Sequence, residues 1–173
     1  EEDKAKSDYF QNLYHINETA CTHFEQNLFK SQYKTWLKYF LDRHISEKTI
    51  KTFRLGYSID SYEMMLNQLK KSDIDLDEAV KLGLIQKKEH GTGYLDKFRH
   101  RIIFPFHNVS GKIIGFGGRK LRDEQQPKYL NSPESPIYKK GEILFGLVLV
   151  ISYIREKGFV FLVEGYFDLL RLY

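Results

Sequence analysis

The sequence predicts an α+β protein with a helical N-terminal region, a β-rich middle region and a final strand followed by a helix. Three observations support this order. The first third is rich in helix-forming residues and has no proline or glycine before Gly56. After Gly93, β-branched and aromatic residues alternate around a turn, which is typical of a hairpin. The stretch from Phe159 begins with a continuous apolar run, as buried strands do.

The N-terminal region is predicted to be helical from Ser7 to about Leu55. Apolar residues recur there at intervals of three and four, the spacing of one helix face; they are Phe10, Leu13, Tyr14, Phe24, Leu28 and Phe29. Ser46 is a residue type that caps helices, and it predicts a further short helix that Gly56 ends.

The acidic residues of SDIDLDEAVKLGLI suggest either a metal site or a helix cap. Asp73, Asp75 and Asp77 alternate, but a calcium loop needs a glycine at its sixth position and a glutamate at its twelfth. Neither is present, so the pattern favours a capped short helix that ends at Gly83.

The middle region is predicted to contain a β-hairpin, RIIFPFHNVSGKIIGFGG, with its turn at 108–111. Pro105 lies inside the first strand, which indicates a sheet edge or a bulge at that point. An ordered loop is expected from Arg122 to Ser135, and a helix from Glu142 to Glu156.

The last segment is predicted to be a strand, FVFLV, covered on both faces and followed by a helix. We therefore expect three parts: a helical part at 1–93, a β-rich basic part at 94–157, and the start of a further subdomain at 158–173.

Composition limits the class of protein. At 173 residues and 42% hydrophobic, the chain can bury a core. No apolar run reaches the roughly 20 residues of a membrane-spanning helix, and the start EEDKAKSDYF is unlike a signal peptide, so we expect a cytoplasmic protein. The single cysteine, Cys21, excludes an internal disulfide and a cysteine-based zinc site.

Positive charge is concentrated in one segment. Residues 97–140 hold ten Lys/Arg and three Asp/Glu, a balance of +7, within a chain whose total is +4. Such a segment suits phosphates or a nucleic-acid backbone, although a solvated surface would also explain it.

Two motifs lie inside this basic segment. GFGGR, 115–119, has three glycines that allow close backbone approach to a ligand, or that mark a bulge in an edge strand. In PKYLNSP, 127–133, Lys128 can meet a phosphate, Tyr129 can stack on a base and Asn131 can form hydrogen bonds, unless this is an ordinary surface loop.

A pair of carboxylates follows the last predicted strand. Glu164 stands at the strand tip, where ligands bind in open α/β sheets, and Asp168 lies in the first turn of the following helix. Two nearby carboxylates suit a hard divalent cation, whereas a surface charge and a helix-dipole partner are the alternative.

The order of these motifs resembles a known family. RHRIIFPFHNVSGKIIGFGGR, PKYLNSPESPIYKKGEILFGL and FLVEGYFDLL occur in the order and spacing of the RNA polymerase domain of bacterial replicative DNA primases, over residues 8–173. FLDRHISEKTIKTFRLGY is similar to the helical pattern that precedes this core, except that His44 stands where the family usually has glycine.

The resemblance implies a role for particular residues. It assigns six residues to a basic cleft for template and incoming nucleotide: Arg43, Arg119, Lys128, Tyr129, Asn131 and Lys140. It identifies EGYFD as the first acidic motif of a Toprim fold, with Glu164 and Asp168 as catalytic carboxylates of a metal site that is incomplete in this chain. Further carboxylates follow on later strands in that fold.

The resemblance thus implies a fragment of a DNA-directed RNA primase, which synthesises short RNA primers on single-stranded DNA for replication. It implies Mg²⁺ or Mn²⁺ in the full-length enzyme, zinc in a further N-terminal domain, ribonucleoside triphosphates as substrates, and a replicative helicase as a partner of a further C-terminal region. We expect this fragment to be monomeric, not membrane-bound, and inactive alone. A non-catalytic single-stranded DNA-binding module and a fragment of another Toprim enzyme, a nuclease or topoisomerase, remain alternatives.

Overall fold

The computed structural model describes residues 2–173, and its N-terminal region is helical as predicted. Helix α1 spans Glu2–Phe29, α2 spans Lys34–Leu41 and α3 spans Glu47–Thr52. The Ser46 hydroxyl caps α3 by accepting a hydrogen bond from the backbone N–H of Thr49 at 3.0 Å, which confirms the predicted cap. Gly56 does not end this helix. It begins strand β1, Gly56–Ser58.

The acidic segment forms helix caps, as its sequence favours. Helix α4 spans Met64–Lys71 and α5 spans Leu76–Lys81. The Asp75 carboxylate accepts the backbone N–H groups of Asp77 and Glu78, and Gly83 after α5 has a φ of 70°. Within residues 2–173, no group of three or more His, Cys, Asp or Glu side chains is placed to hold a metal ion.

The predicted hairpin is the centre of the main sheet. Strands β4, Arg101–His107, and β5, Ile113–Lys120, pair antiparallel, and the sheet order is β1-β4-β5-β6. Strand β1 pairs only with residues 101–103 of β4, so Pro105 lies beyond this pairing, and the register shifts just after it. Mixed helix and sheet confirm the α+β prediction.

Two expectations for the basic segment are wrong. The GFGGR stretch is not a bulge in an edge strand, because β5 lies between β4 and β6 and pairs regularly with both at these glycines. The loop predicted from Arg122 to Ser135 contains strand β6, Tyr129–Asn131. Pattern reasoning missed β6 because its three residues are too few to show alternation.

Two smaller features complete the N-terminal and middle regions. Strands β2, Ile85–Lys87, and β3, Tyr94–Asp96, form a separate antiparallel pair. Helix α1 packs on the main sheet through Phe24, whose ring meets Phe116 edge-on with centroids 5.5 Å apart.

The C-terminal segment differs most from its prediction. Helix α6 spans Leu147–Lys157, so it begins five residues later than the predicted helix and ends one residue beyond it, and Gly158 ends it. Residues 159–163 form no strand, and Phe161 and Leu162 are 76% and 82% exposed. The physical reason is that an isolated strand has no ladder partner for its backbone, and no strand among residues 2–173 lies beside this run.

Helix α7, Tyr166–Leu172, closes the described chain and packs back on the main sheet. Its Leu170 is buried in a core cluster that includes Phe40 and Phe104. No helix among residues 2–173 is both long and apolar enough to cross a membrane.

Candidate nucleic-acid interface

Basic side chains from three separate stretches of the chain line one groove. The groove encloses about 470 Å³. Five cations line it, namely Arg43, Arg119, Lys120, Arg122 and Lys128. The rest of its lining is Asp123, Tyr39 and Leu121. The predicted residues Arg43, Arg119 and Lys128 therefore lie together, although 76 positions separate the two arginines.

The sheet register brings two of these stretches side by side. Arg119 near the end of β5 is the pairing partner of Tyr129 in β6. The backbone N–H of Lys120 donates to the carbonyl of Lys128 at 2.9 Å, which extends the pairing beyond the strands. The side chain of Gln125 accepts from the backbone N–H groups of Leu121 and Arg122 and so folds the intervening loop.

Aromatic rings hold the two arginines. The guanidinium carbon of Arg43 lies 3.6 Å from the centroid of the Tyr39 ring, and its Nη1 donates to the Tyr39 carbonyl at 3.2 Å. Arg119 donates from Nη1 to the Tyr129 hydroxyl at 2.6 Å. Burial lowers the pKa of Arg119, but the bond to Tyr129 and the nearby tyrosines outweigh this and raise its pKa overall. Both guanidinium groups are thus fixed and charged.

Part of the positive charge of the groove is not neutralised. Arg122 pairs with Asp60, and the Lys120 ammonium donates to the Asp123 carbonyl. Within residues 2–173, Arg43, Arg119 and Lys128 make no ion pair with a carboxylate. Two fixed guanidinium groups and the exposed ammonium of Lys128, all without carboxylate partners, form an arrangement that can bind phosphate oxygens.

Three other predicted site residues lie at a second opening. A cavity of about 330 Å³ is lined mainly by apolar residues, and its polar lining includes Asn131, Lys140 and Glu164. Tyr129 does not present a free hydroxyl, because this group accepts a hydrogen bond from Arg119. The centroid of its ring lies 5.5 Å from that of Tyr166. The predicted residues therefore divide between the groove and this cavity, except for Tyr129 and Asp168, which line neither.

The two carboxylates lie at the start of α7 and are exposed. The Asp168 carboxylate folds back over Gly165, where a Cβ atom would be 2.6 Å from Oδ2, so a side chain at position 165 would displace this carboxylate. Glu164 and Asp168 belong to no cluster of three or more metal-ligating side chains among residues 2–173. By themselves they do not make a complete metal centre.

Tyr166 connects the acidic motif to the sheet. Its ring stacks on Phe104 with centroids 4.5 Å apart and an interplanar angle of 15°. A Cβ atom at position 117 would lie 3.0 Å from its hydroxyl oxygen, so Gly117 leaves the space that Tyr166 occupies. The glycines of GFGGR thus serve close side-chain packing, and Gly115, Gly117 and Gly118 are not among the residues with positive φ.

Sequence reasoning missed several residues of the groove. Tyr39 lies in α2 and Arg43 in the turn just after it, and the spacing of four residues could have indicated their contact. For Lys120 and Arg122, the sequence gives no signal beyond their position in the basic segment.

Comparison with known proteins gives a consistent result. A family described as the N-terminal domain of the DNA primase catalytic core matches residues 23–150. The DNA primase of Clostridium acetobutylicum is 40% identical over 164 residues, which are 95% of this chain and 26% of that protein. The chain therefore spans about a quarter of the length of this relative.

Solved structures share the fold. The Aquifex aeolicus primase, in a structure of its zinc-binding and RNA polymerase domains, is 38% identical with a TM-score of 0.85, covering 93% of this chain and 39% of that one. A primase catalytic domain bound to single-stranded DNA is 29% identical with a TM-score of 0.86, covering 95% of this chain and 52% of that one. The family match includes the groove but ends before Glu164.

Proposed function

Because this chain belongs to the family of DNA primase catalytic cores, we propose that its basic groove binds phosphates of the single-stranded DNA template and of incoming ribonucleoside triphosphates. The parent protein would be a DNA-directed RNA primase that makes short RNA primers for replication. One observation carries the proposal: Arg43, Arg119 and Lys128 converge in one groove without carboxylate partners.

The groove is suited to a phosphate backbone. Guanidinium groups match phosphate oxygens bidentately, and fixing them on Tyr39 and Tyr129 before the ligand arrives lowers the entropy lost on binding. A site that binds mainly through phosphates carries little sequence information, and its affinity falls as salt rises.

The two carboxylates, Glu164 and Asp168, bear on whether this chain can synthesise primers alone. We propose that Glu164 and Asp168 contribute to a site for Mg²⁺ or Mn²⁺ in the parent enzyme, since both cations take oxygen ligands. Two carboxylates do not complete such a site here, so no catalytic step is assigned to them. We expect no primer synthesis from the 173-residue chain.

The wider setting is also a proposal. We propose three parts, namely a mainly helical part at 1–93, which also contributes strands β1 and β2, a β-rich basic part at 94–157 and the start of a Toprim subdomain at 158–173. In the longer parent, we place zinc in a separate N-terminal domain, as the Aquifex aeolicus structure contains one, and helicase contacts in a C-terminal region. The bacterial relatives favour a cytoplasmic enzyme, and we expect this chain to be monomeric.

Binding to a short fluorescein-labelled oligodeoxynucleotide tests the proposal. We expect wild-type binding to weaken with salt, and Lys128→Ala to weaken it further while lowering the slope of log K against log [salt] by about 0.7, the value for one phosphate contact on a single strand. Lys71→Ala is the control, since Lys71 is exposed on α4 and does not line the groove.

Two results would contradict the proposal. Affinity unchanged in Lys128→Ala would show that the PKYLNSP loop does not face the nucleic acid. An equal loss in Lys71→Ala would show that the binding reflects general charge. The same protein in a primer-synthesis assay is expected to give no RNA product.

A further inference from the structure

We propose that Phe167 is a positioning residue of the basic groove, which sets the guanidinium groups of Arg43 and Arg119 for phosphate binding. This inference rests on the proposed function and deepens it. Its consequence is that EGYFD carries both the two carboxylates and a residue that orders the cations of the groove.

Phe167 is a point where two distant segments meet. Its ring centroid is 5.7 Å from the guanidinium carbon of Arg43 in the turn after α2, and 5.2 Å from that of Arg119 in β5. Both distances lie within the range at which an aromatic ring attracts a guanidinium group. Two like charges that contact one ring are thereby held in a fixed relation.

The ring itself is held firmly. It stacks on Phe40 with an interplanar angle of 28°, and it meets Tyr39 and Phe104 edge-on at centroid distances of 6.0 and 5.7 Å. These contacts come from α2 and β4, so the ring is fixed relative to both the helices and the sheet. A rigid ring can limit the positions of the arginine side chains.

A second contact joins the same helix to the groove. Arg171, one turn after Phe167 on α7, donates from Nε to the carbonyl of Arg43 at 3.2 Å. Helix α7, which follows Glu164 and contains Asp168, therefore contacts both the guanidinium group and the backbone carbonyl of Arg43. The position of the carboxylates and that of the cations depend on one element.

Replacing the ring without emptying the space tests the inference. Phe167→Leu keeps an apolar side chain but removes the π face, whereas Phe167→Tyr keeps the face. With the same labelled oligonucleotide, we expect Phe167→Leu to bind about fivefold more weakly, with a smaller salt slope, and Phe167→Tyr to bind like the wild type.

A double-mutant cycle separates positioning from general packing. If Phe167 acts through the arginines, Phe167→Leu will have no further effect on binding in an Arg43→Ala/Arg119→Ala background. A persistent loss of affinity in that background would overturn the inference. So would wild-type affinity and salt slope in Phe167→Leu itself.

A further variant covers the case in which Phe167→Leu does not fold. Pentafluorophenylalanine at position 167 reverses the ring quadrupole at nearly the same shape, so it weakens the attraction for guanidinium while the packing stays. We expect weaker oligonucleotide binding with an unchanged unfolding midpoint, and unchanged binding would refute the inference. If the wild type did not bind at all, the proposed function would fail, which is a distinguishable result.

Discussion

Replacing Gly117 by alanine tests whether the sheet is built to receive Tyr166. An added Cβ would lie 2.9 Å from Cζ of Phe106, 3.0 Å from the hydroxyl oxygen of Tyr166 and 3.2 Å from Oδ1 of Asn131. Ordinary contacts between carbon atoms are about 3.5–4.0 Å, so the ring of Phe106 would have to move by about half an ångström or more. The two oxygen atoms would have to move by a few tenths of an ångström. All three neighbours are packed side chains, so moving them costs folding free energy.

The expected cost follows from overpacking. Inserting a methyl group into a well-packed region destabilises the folded state by about 1–3 kcal/mol. Replacing glycine by alanine in a strand stabilises it by about 0.5–1 kcal/mol, because the unfolded chain has less backbone entropy to lose. The midpoints of these two ranges differ by about 1 kcal/mol, so we expect Gly117→Ala to lower the free energy of unfolding by about 1 kcal/mol, measured by urea unfolding followed by circular dichroism.

Matched variants decide the cause. Gly141→Ala is the control, because a Cβ there would meet nothing within 4 Å, and we expect a change within about 0.5 kcal/mol. Tyr166→Phe removes the hydroxyl oxygen that clashes, so the double variant Gly117→Ala/Tyr166→Phe should lose less stability than the sum of the two single changes. A Gly117→Ala protein as stable as the wild type, or strictly additive losses, would refute the reasoning.

Two further predictions concern buried polar groups. Burial lowers the pKa of His23 to about 4, while an unfolded histidine titrates near about 6.5, so the stability present above about pH 7 is lost as the pH falls through this window. Between pH 7 and 5, the wild type should lose about 2 kcal/mol more unfolding free energy than His23→Gln. The control is His90→Gln, since His90 is exposed. An equal dependence of unfolding free energy on pH in wild type and His23→Gln would contradict the prediction. Asp96 accepts the backbone N–H groups of Met65 and Leu66 at 2.7 and 2.9 Å, so Asp96→Ala should cost about 2–3 kcal/mol in urea unfolding. Asp96→Asn, which keeps an acceptor oxygen, should cost less, and equal losses would show that the acceptor oxygen at position 96 does not stabilise the first turn of α4.

The parts of the fold that the sequence predicts are those that local chemistry determines. Ser46 and Asp75 cap helices because their side-chain oxygens reach backbone N–H groups two or three residues away. The hairpin turn at 108–111 is equally local, since Asn108 accepts from the backbone N–H groups of Ser110 and Lys112.

The parts that were predicted wrongly depend on distant partners. The apolar run at 159–163 has the composition of a buried strand, but composition does not supply the neighbouring strand that its backbone needs. Strand β6 exists because β5 offers its free edge to three residues, and nothing within those residues indicates that edge. The convergence of Arg43 and Arg119 likewise follows from tertiary packing, and family resemblance was the only guide to it.

The aromatic pair Tyr166 and Phe167 explains why the groove and the carboxylates should respond together. Tyr166 stacks on Phe104 in the sheet, and Phe167 contacts Phe104 as well as both guanidinium groups, so α7 packs against the sheet and the cations together. A displacement of α7 would move the carboxylate of Asp168 and release the arginines at the same time. A change such as Gly117→Ala, which lies in neither set of charged residues, should therefore weaken oligonucleotide binding as well as stability.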